Sequence, residues 1–263
     1  MKSVLDFARA RREAHPICVV TSYDAWSARI AESAGIDCLL VGDSAAMVIH
    51  GFPDTLHATV DMMVTHTAAV RRGAPGLFVV ADMPFLSFRR GAAAAVEAAG
   101  ALMQAGANAV KLESVRGHED VVAQLVGSGI PVMGHLGLTP QAVHQLGGYR
   151  VQGRSAEDAR RILEDVRSLE TLGAFAIVLE CVPEVVAADV TASLAIPTIG
   201  IGAGAHTSGQ ILVVTDLLGM DPDFRPRFSR RYLDGATLSR DAIAAYVADV
   251  RACRFPAAAE VLA

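Results

Sequence analysis

Aromatic side chains are scarce. Phe, Trp and Tyr make up 5% of the 263 residues, and there is one tryptophan. A core of stacked rings is excluded, so the 52% of hydrophobic residues, mostly Ala, Val and Leu, must supply it. A basic excess is also missing. The net charge of −5 and isoelectric point near 5.9 exclude the footprint of a nucleic-acid binder and any general attraction to anionic membranes. The four cysteines, Cys18, Cys38, Cys181 and Cys253, form no C-x-x-C pair, and no His-plus-Cys set has zinc spacing. They are expected to be buried reduced thiols, with a catalytic or metal-binding cysteine as the lesser reading.

Long apolar spans are absent too, although the mean hydropathy is +0.37. Residues 121–149 and 190–215 carry no Lys, Arg, Asp or Glu, but Pro, His, Gln and Gly interrupt both. Each reads as buried strands with turns, not as a span of about 20 apolar residues. Residues 1–6 have no signal-like apolar core, so a cytoplasmic protein is expected. There is no P-loop and no G-x-S-x-G elbow. The run Gly200-Ile201-Gly202-Ala203-Gly204 lacks the G-x-G-x-x-G spacing of a dinucleotide fold. It reads as a turn, or as backbone that lets a ligand approach.

What the chain does have is a recurring pattern. Short apolar runs at 17–21, 38–41, 77–81, 109–112, 130–134, 176–179, 198–201 and 211–214 alternate with helical stretches. The helices are expected at 4–13, 25–34, 59–72, 92–104, 119–126, 155–172, 183–194 and 239–251. Two polar connections, 44–58 and 137–154, are long enough to be functional loops. Alternating strands and helices imply a parallel α/β fold. About eight strands in this length favour a (β/α)8 barrel over a doubly wound sheet. No repeat, linker or low-complexity segment divides the chain, so one catalytic domain over 1–263 is expected, with the first short helix over one barrel end.

Several runs end on a polar residue: Asp43 and Ser44, Asp82, Lys111 with Glu113, His135, and Glu180. Strand side chains alternate between faces. Val41 and Asp43 would share a face, as would Val80 and Asp82, Lys111 and Glu113, and Val178 and Glu180. In a barrel these ends meet at the C-terminal rim, where activity sits. Asp43 and Asp82 suit a hard divalent cation, with Glu113 joining directly or through water. Helix caps or arginine pairs are the structural alternative. Lys111 would hold a substrate carboxylate or enolate oxygen, or form a structural ion pair. Glu180, between Leu179 and Cys181, would be a general base whose pKa burial raises, or a structural glutamate. His135 stays open between an oxyanion donor and a core histidine. Metal, lysine and base together suggest enolate chemistry on a chelating 2-oxo acid.

These segments resemble the ketopantoate hydroxymethyltransferases. The likeness covers about 25–251. It rests on Val41-Gly42-Asp43-Ser44, on His66 to Gly73, on Ala81-Asp82-Met83-Pro84-Phe85 and on Gly106 to Glu113. It continues through Gly134 to Gln141, Gly147 to Arg154, Leu179 to Pro183 and Ile199 to Gly204. The resemblance implies a (β/α)8 barrel in large rings, typically homodecamers. It implies hydroxymethyl transfer from 5,10-methylenetetrahydrofolate to 3-methyl-2-oxobutanoate, giving 2-dehydropantoate in the first step towards pantothenate, with one Mg²⁺ per subunit. By the family pattern Asp43 and Asp82 bind Mg²⁺ with Glu113 in its shell. Asp43, Ser44, Asp82 and Lys111 contact the oxo acid, and Glu180 accepts the proton. The partners are then small molecules and further copies of the chain, without nucleic acid or membrane. Ala46 stands where the family usually has glycine, His57 where proline is common, and Ser114-Val115-Arg116 where small residues are usual. Two competing readings are a carbon–carbon lyase of the isocitrate lyase and phosphoenolpyruvate mutase kind, and a non-catalytic metabolite binder. The first lacks its Lys-Lys-Cys-Gly-His-type loop, and the second has no use for the base.

Overall fold

A computed structural model describes residues 1–261. The expected barrel is there. Eight parallel strands run β1 (Ile17–Thr21), β2 (Cys38–Val41), β3 (Phe78–Asp82), β4 (Ala109–Glu113), β5 (Val132–Gly137), β6 (Ala176–Glu180), β7 (Thr198–Ile201) and β8 (Gly209–Leu212). They pair in chain order, and β8 closes on β1 with Ile17 opposite Gly209. The helices are α1 (Val4–Arg12), α2 (Ala25–Ser33), α3 (Ala45–Val48), α4 (Val60–Gly73), α5 (Ala92–Gln104), α6 (Glu119–Gly127), α7 (Val143–Leu146), α8 (Ala156–Thr171), α9 (Glu184–Ser193), α10 (Val214–Leu218) and α11 (Gly235–Arg251).

Local chemistry explains the starts. Asp24, Thr59 and Ser155 each accept a hydrogen bond from the first turn of α2, α4 and α8, satisfying backbone N–H groups that a helix leaves unpaired. On α8 the buried stripe is Ile162, Val166 and Leu169, the helical spacing visible in the sequence.

Three details differ from expectation. The eighth strand begins earlier, at Gly209, and Val214 opens α10 instead of ending a strand. The long connections hold short helices: α3 and a 3₁₀ turn at Thr55–His57 in the first, a 3₁₀ turn at Pro140–Ala142 and α7 in the second. Only Cys38 and Cys181 are buried, while Cys18 and Cys253 are exposed. Cys18 is the one outward position of β1 left uncovered, which periodicity alone could not reveal.

The barrel interior is filled by Val19, Cys38, Leu40, Val80, Met133, Val178, Ile199 and Ile211. At the N-terminal end Phe7 of α1 packs edge-on against Phe78 and Phe175, with centroids 5.2 and 5.1 Å away. The chain divides into two compact units, Met1–Leu212 and Val213–Ala263. Within the second, Gly219 adopts a left-handed conformation that ends α10, and Tyr246 of α11 packs on the Phe255 ring. Among the described residues no helix is long and apolar enough to cross a membrane.

Candidate active site

The inward positions of the strands switch chemistry partway up. On β3 they read Phe78, Val80, Asp82; on β4 Ala109, Lys111, Glu113; on β5 Met133, His135; on β6 Ala176, Val178, Glu180. The lower members lie in the apolar core, and the upper ones meet at the C-terminal mouth. Register brings them side by side: Asp82 opposite Lys111, and Glu113 opposite His135.

Asp43 arrives differently from the sequence reading. The inward residues of β2 are Cys38 and Leu40, so Val41 points outward and Gly42 takes the next inward place. The chain leaves strand geometry after Val41 and enters helical geometry at Ser44. That turn aims the Asp43 N–H at Asp82 Oδ2, 3.0 Å away. At Gly42 a Cβ would stand 2.7 Å from Ser44 Oγ and 3.7 Å from Asp82 Oδ2, so glycine keeps the space beside the acids free. Ser44 shares a 2.8 Å hydrogen bond with the hydroxyl of the buried Tyr23.

Lys111 Nζ lies 3.0 Å from Asp82 Oδ1 and 3.1 Å from His135 Nδ1. Burial works against its ammonium, but Asp82, Glu113 and Asp43 outweigh that and raise its pKa. A protonated lysine only donates, so His135 Nδ1 must accept. The neutral ring then carries its proton on Nε2, which faces Glu180 Oε2 at 3.1 Å, close but out of hydrogen-bond alignment. On His135, burial and Lys111 disfavour a second proton while Glu113 and Glu180 favour it, and the net shift is upward.

Glu180 keeps 17% exposure at its side chain, so the mouth is more open around it than the apolar flanks suggested. Cys181 follows in a left-handed conformation (φ 47°), as Ser114 does after Glu113 (φ 66°). Both extend the ladder by one bond, from Cys181 N–H to Ile201 O (2.8 Å) and from Ser114 N–H to His135 O (2.9 Å), before turning sharply away. Such backbone is costly for non-glycine residues, and here it sits directly beside two acids of the mouth.

All seven sequence-derived positions thus reach one mouth. Sequence reasoning missed two neighbours, Tyr23 and Gln141. The Gln141 amide donates to Asp43 Oδ2 (2.8 Å) and Met83 O (3.0 Å), and its backbone N–H donates to Glu113 Oε2 (3.0 Å). The only signal was its place in Thr139-Pro140-Gln141, just past the fifth strand. A separate cleft of about 460 Å³, lined by residues such as Lys2, Asp6, Arg9 and His15, opens by α1 and holds none of these groups.

The donor set fits a hard cation. Asp82 Oδ1 and Glu113 Oε1 are buried without an aligned hydrogen-bond donor. Burial, Asp82 and Glu113 push the Asp43 carboxyl well above its usual range, against Lys111 and Gln141, and a bound cation would relieve that strain. Among the described residues no three His, Cys, Asp or Glu side chains form a ready ligand cluster. Mg²⁺ characteristically uses one or two carboxylates and fills its shell with water and substrate oxygens.

Residues 2–258 match the profile of the ketopantoate hydroxymethyltransferase family. The chain is 49% identical to the 3-methyl-2-oxobutanoate hydroxymethyltransferase of Francisella tularensis subsp. novicida over 256 residues, covering 97% of each chain. It is 49% identical over 260 residues to the enzyme of that name from Bdellovibrio bacteriovorus, covering 99% of each. Among solved structures, phosphonopyruvate hydrolase in complex with oxalate and Mg²⁺ superposes with a TM-score of 0.65 at 11% identity, over 100% of this chain and 92% of the other. Likeness at that identity shows the fold alone.

Proposed function

The chain belongs to the ketopantoate hydroxymethyltransferase family, enzymes of hydroxymethyl transfer in pantothenate synthesis, and from that premise we propose how its mouth does the work. The acceptor is 3-methyl-2-oxobutanoate and the one-carbon donor 5,10-methylenetetrahydrofolate. Asp43 and Asp82 would hold Mg²⁺, with Glu113 in its shell. When bound, the ion supplies Lewis acidity that polarises the 2-oxo group and acidifies the adjacent C–H. Lys111, kept cationic by its acid neighbours, balances the charge that develops on the substrate oxygens. Ser44, fixed by Tyr23, orients the oxo acid.

Glu180 takes the C3 proton. The C–H electron pair becomes the C2–C3 double bond of the enolate, whose C3 then bonds to the folate-borne methylene. Both methylene–nitrogen bonds break: a water supplies the hydroxyl oxygen and one of its protons, its other proton goes to one folate nitrogen, and the proton taken from C3 goes to the other, releasing tetrahydrofolate. His135, with its proton on the nitrogen 3.1 Å from Glu180 Oε2, is placed to donate to that carboxylate after a small reorientation. The observation that carries this reading is the continuous chain Asp43–Asp82–Lys111–His135–Glu180 across five strand ends. The working form is a cytoplasmic homo-oligomer, a decamer by family pattern, and exposed Trp26 and Ile30 on α2 supply apolar surface for assembly.

The test omits folate. Protein, 3-methyl-2-oxobutanoate and Mg²⁺ in D₂O should exchange the C3 proton, followed by NMR. Glu180→Gln should slow exchange about a hundredfold or more. Undiminished exchange in that variant removes Glu180 from the role.

A further inference from the structure

The segment after β5 behaves as a hook. Gly137 turns it with φ 93°, a conformation that favours glycine. Leu138 N–H then donates to Glu180 O (2.8 Å), and the Gln141 backbone N–H donates to Glu113 Oε2 (3.0 Å). The Gln141 side chain ends the hook, with its amide nitrogen between Asp43 Oδ2 (2.8 Å) and Met83 O (3.0 Å). One residue therefore ties the ends of β2, β3 and β4.

The orientation of this amide is chemically fixed. Met83 O can only accept, so the –NH₂ must face it whatever the protonation of Asp43. The opposite rotamer would set the amide oxygen against that carbonyl. The two amide protons thus go to Asp43 and Met83, which leaves Gln141 Oε1 buried and without a donor. Gln141 itself is 8% exposed. A buried amide oxygen with no partner costs free energy unless something donates to it.

We propose that Gln141 is a positioning residue of the cation site: it fixes the Asp43 carboxylate towards the ion and offers Oε1 to a water in the ion's shell. The inference rests on the reading of Asp43 and Glu113 as the metal end of the mouth. The amide occupies only Oδ2 of Asp43, so the other carboxylate oxygen is left for the ion. The same hook holds Glu113 by a backbone N–H, which survives any side-chain change at 141. Substitution at 141 therefore removes the contacts to Asp43 and Met83 O while sparing the one to Glu113.

The experiment measures Mn²⁺ binding to the metal-stripped full-length protein by calorimetry and by the electron paramagnetic resonance of free Mn²⁺, with no substrate present. Gln141→Met keeps the bulk and loses the amide. Gln141→Asn keeps the amide but withdraws it by one methylene. Both should bind Mn²⁺ about tenfold more weakly than the parent, and kcat should recover at saturating Mg²⁺. That split between metal affinity and turnover is one that a merely structural residue would not produce. Parental affinity in either folded variant, or a loss of kcat that saturating Mg²⁺ does not restore, overturns the assignment. Unfolding of both variants also overturns it, since Gln141 would then belong to the fold. If the parent itself binds no Mn²⁺, the proposed metal chemistry fails first, and the outcomes are separable.

Discussion

A carboxylate that must meet a cation cannot be saturated with hydrogen-bond donors, and the acids of this mouth are not. Asp82 gives Oδ2 to one backbone N–H and Oδ1 to an ammonium that substrate can draw away. Most of the mouth was legible because alternation fixes the inward series, so Asp82, Lys111, Glu113, His135 and Glu180 fall where a two-residue period puts them. Asp43 reached the right place by a turn that the period does not describe. Gln141 was illegible because its partner Asp43 lies 98 residues away. The departures from family pattern are absorbed locally. His57 stacks on Phe52 and bonds Asp54 (2.9 Å), Ala46 is fully buried in α3, and Arg116 pairs with Asp165 at 2.7 Å. Burial pushes the Cys38 thiol up to about 12 and the Cys181 thiol up to about 11. Thiolate is the reactive form. Iodoacetamide at pH 8 should therefore leave both unmodified in the native protein and alkylate both after unfolding in guanidinium, as read by peptide mass spectrometry. Native labelling of Cys38 would contradict its place in the core.

Elements are held together by close approaches that small residues permit. Gly73, the last residue of α4, lies against the start of α2, where a Cβ would come within 2.7 Å of Ala25 Cα. Backbone cannot yield as a flexible side-chain tip can. Gly73→Ala should destabilise the protein by about 1–3 kcal/mol, seen as a fall in Tm of several degrees, and an unchanged Tm would show that the two helices move apart freely. Strand and helix existence could be read from periodicity and caps, as at 17–21, 38–41, 92–104 and 198–201. The helix-free crossover 202–208 agrees with the absence of any expected helix between 198–201 and 211–214, whereas α10 was hidden. The short helices in the two long loops were likewise hidden, because four-residue turns carry no period and depend on what packs around them.

At the scale of the whole molecule, large apolar side chains remain in the open on the barrel: Trp26 is 57% and Ile30 56% exposed, and Tyr149 at the mouth 54%. In the proposed assembly these side chains would be covered by other copies of the chain. Size-exclusion chromatography with light scattering should give a mass about ten times the 27.6 kDa of one chain, and a stable monomer would refute the ring. The hook after β5 carries a last consequence. Its bonds join residues contributed between positions 43 and 180, so the reactive pocket has no smaller precursor. A fragment stopping short of the sixth stave would own most of the acids and Gln141, yet lack both the base and the Glu180 carbonyl that anchors Leu138. During folding, activity should therefore emerge abruptly and late, after secondary structure is complete, because pairings this remote along the chain are the slowest to find one another.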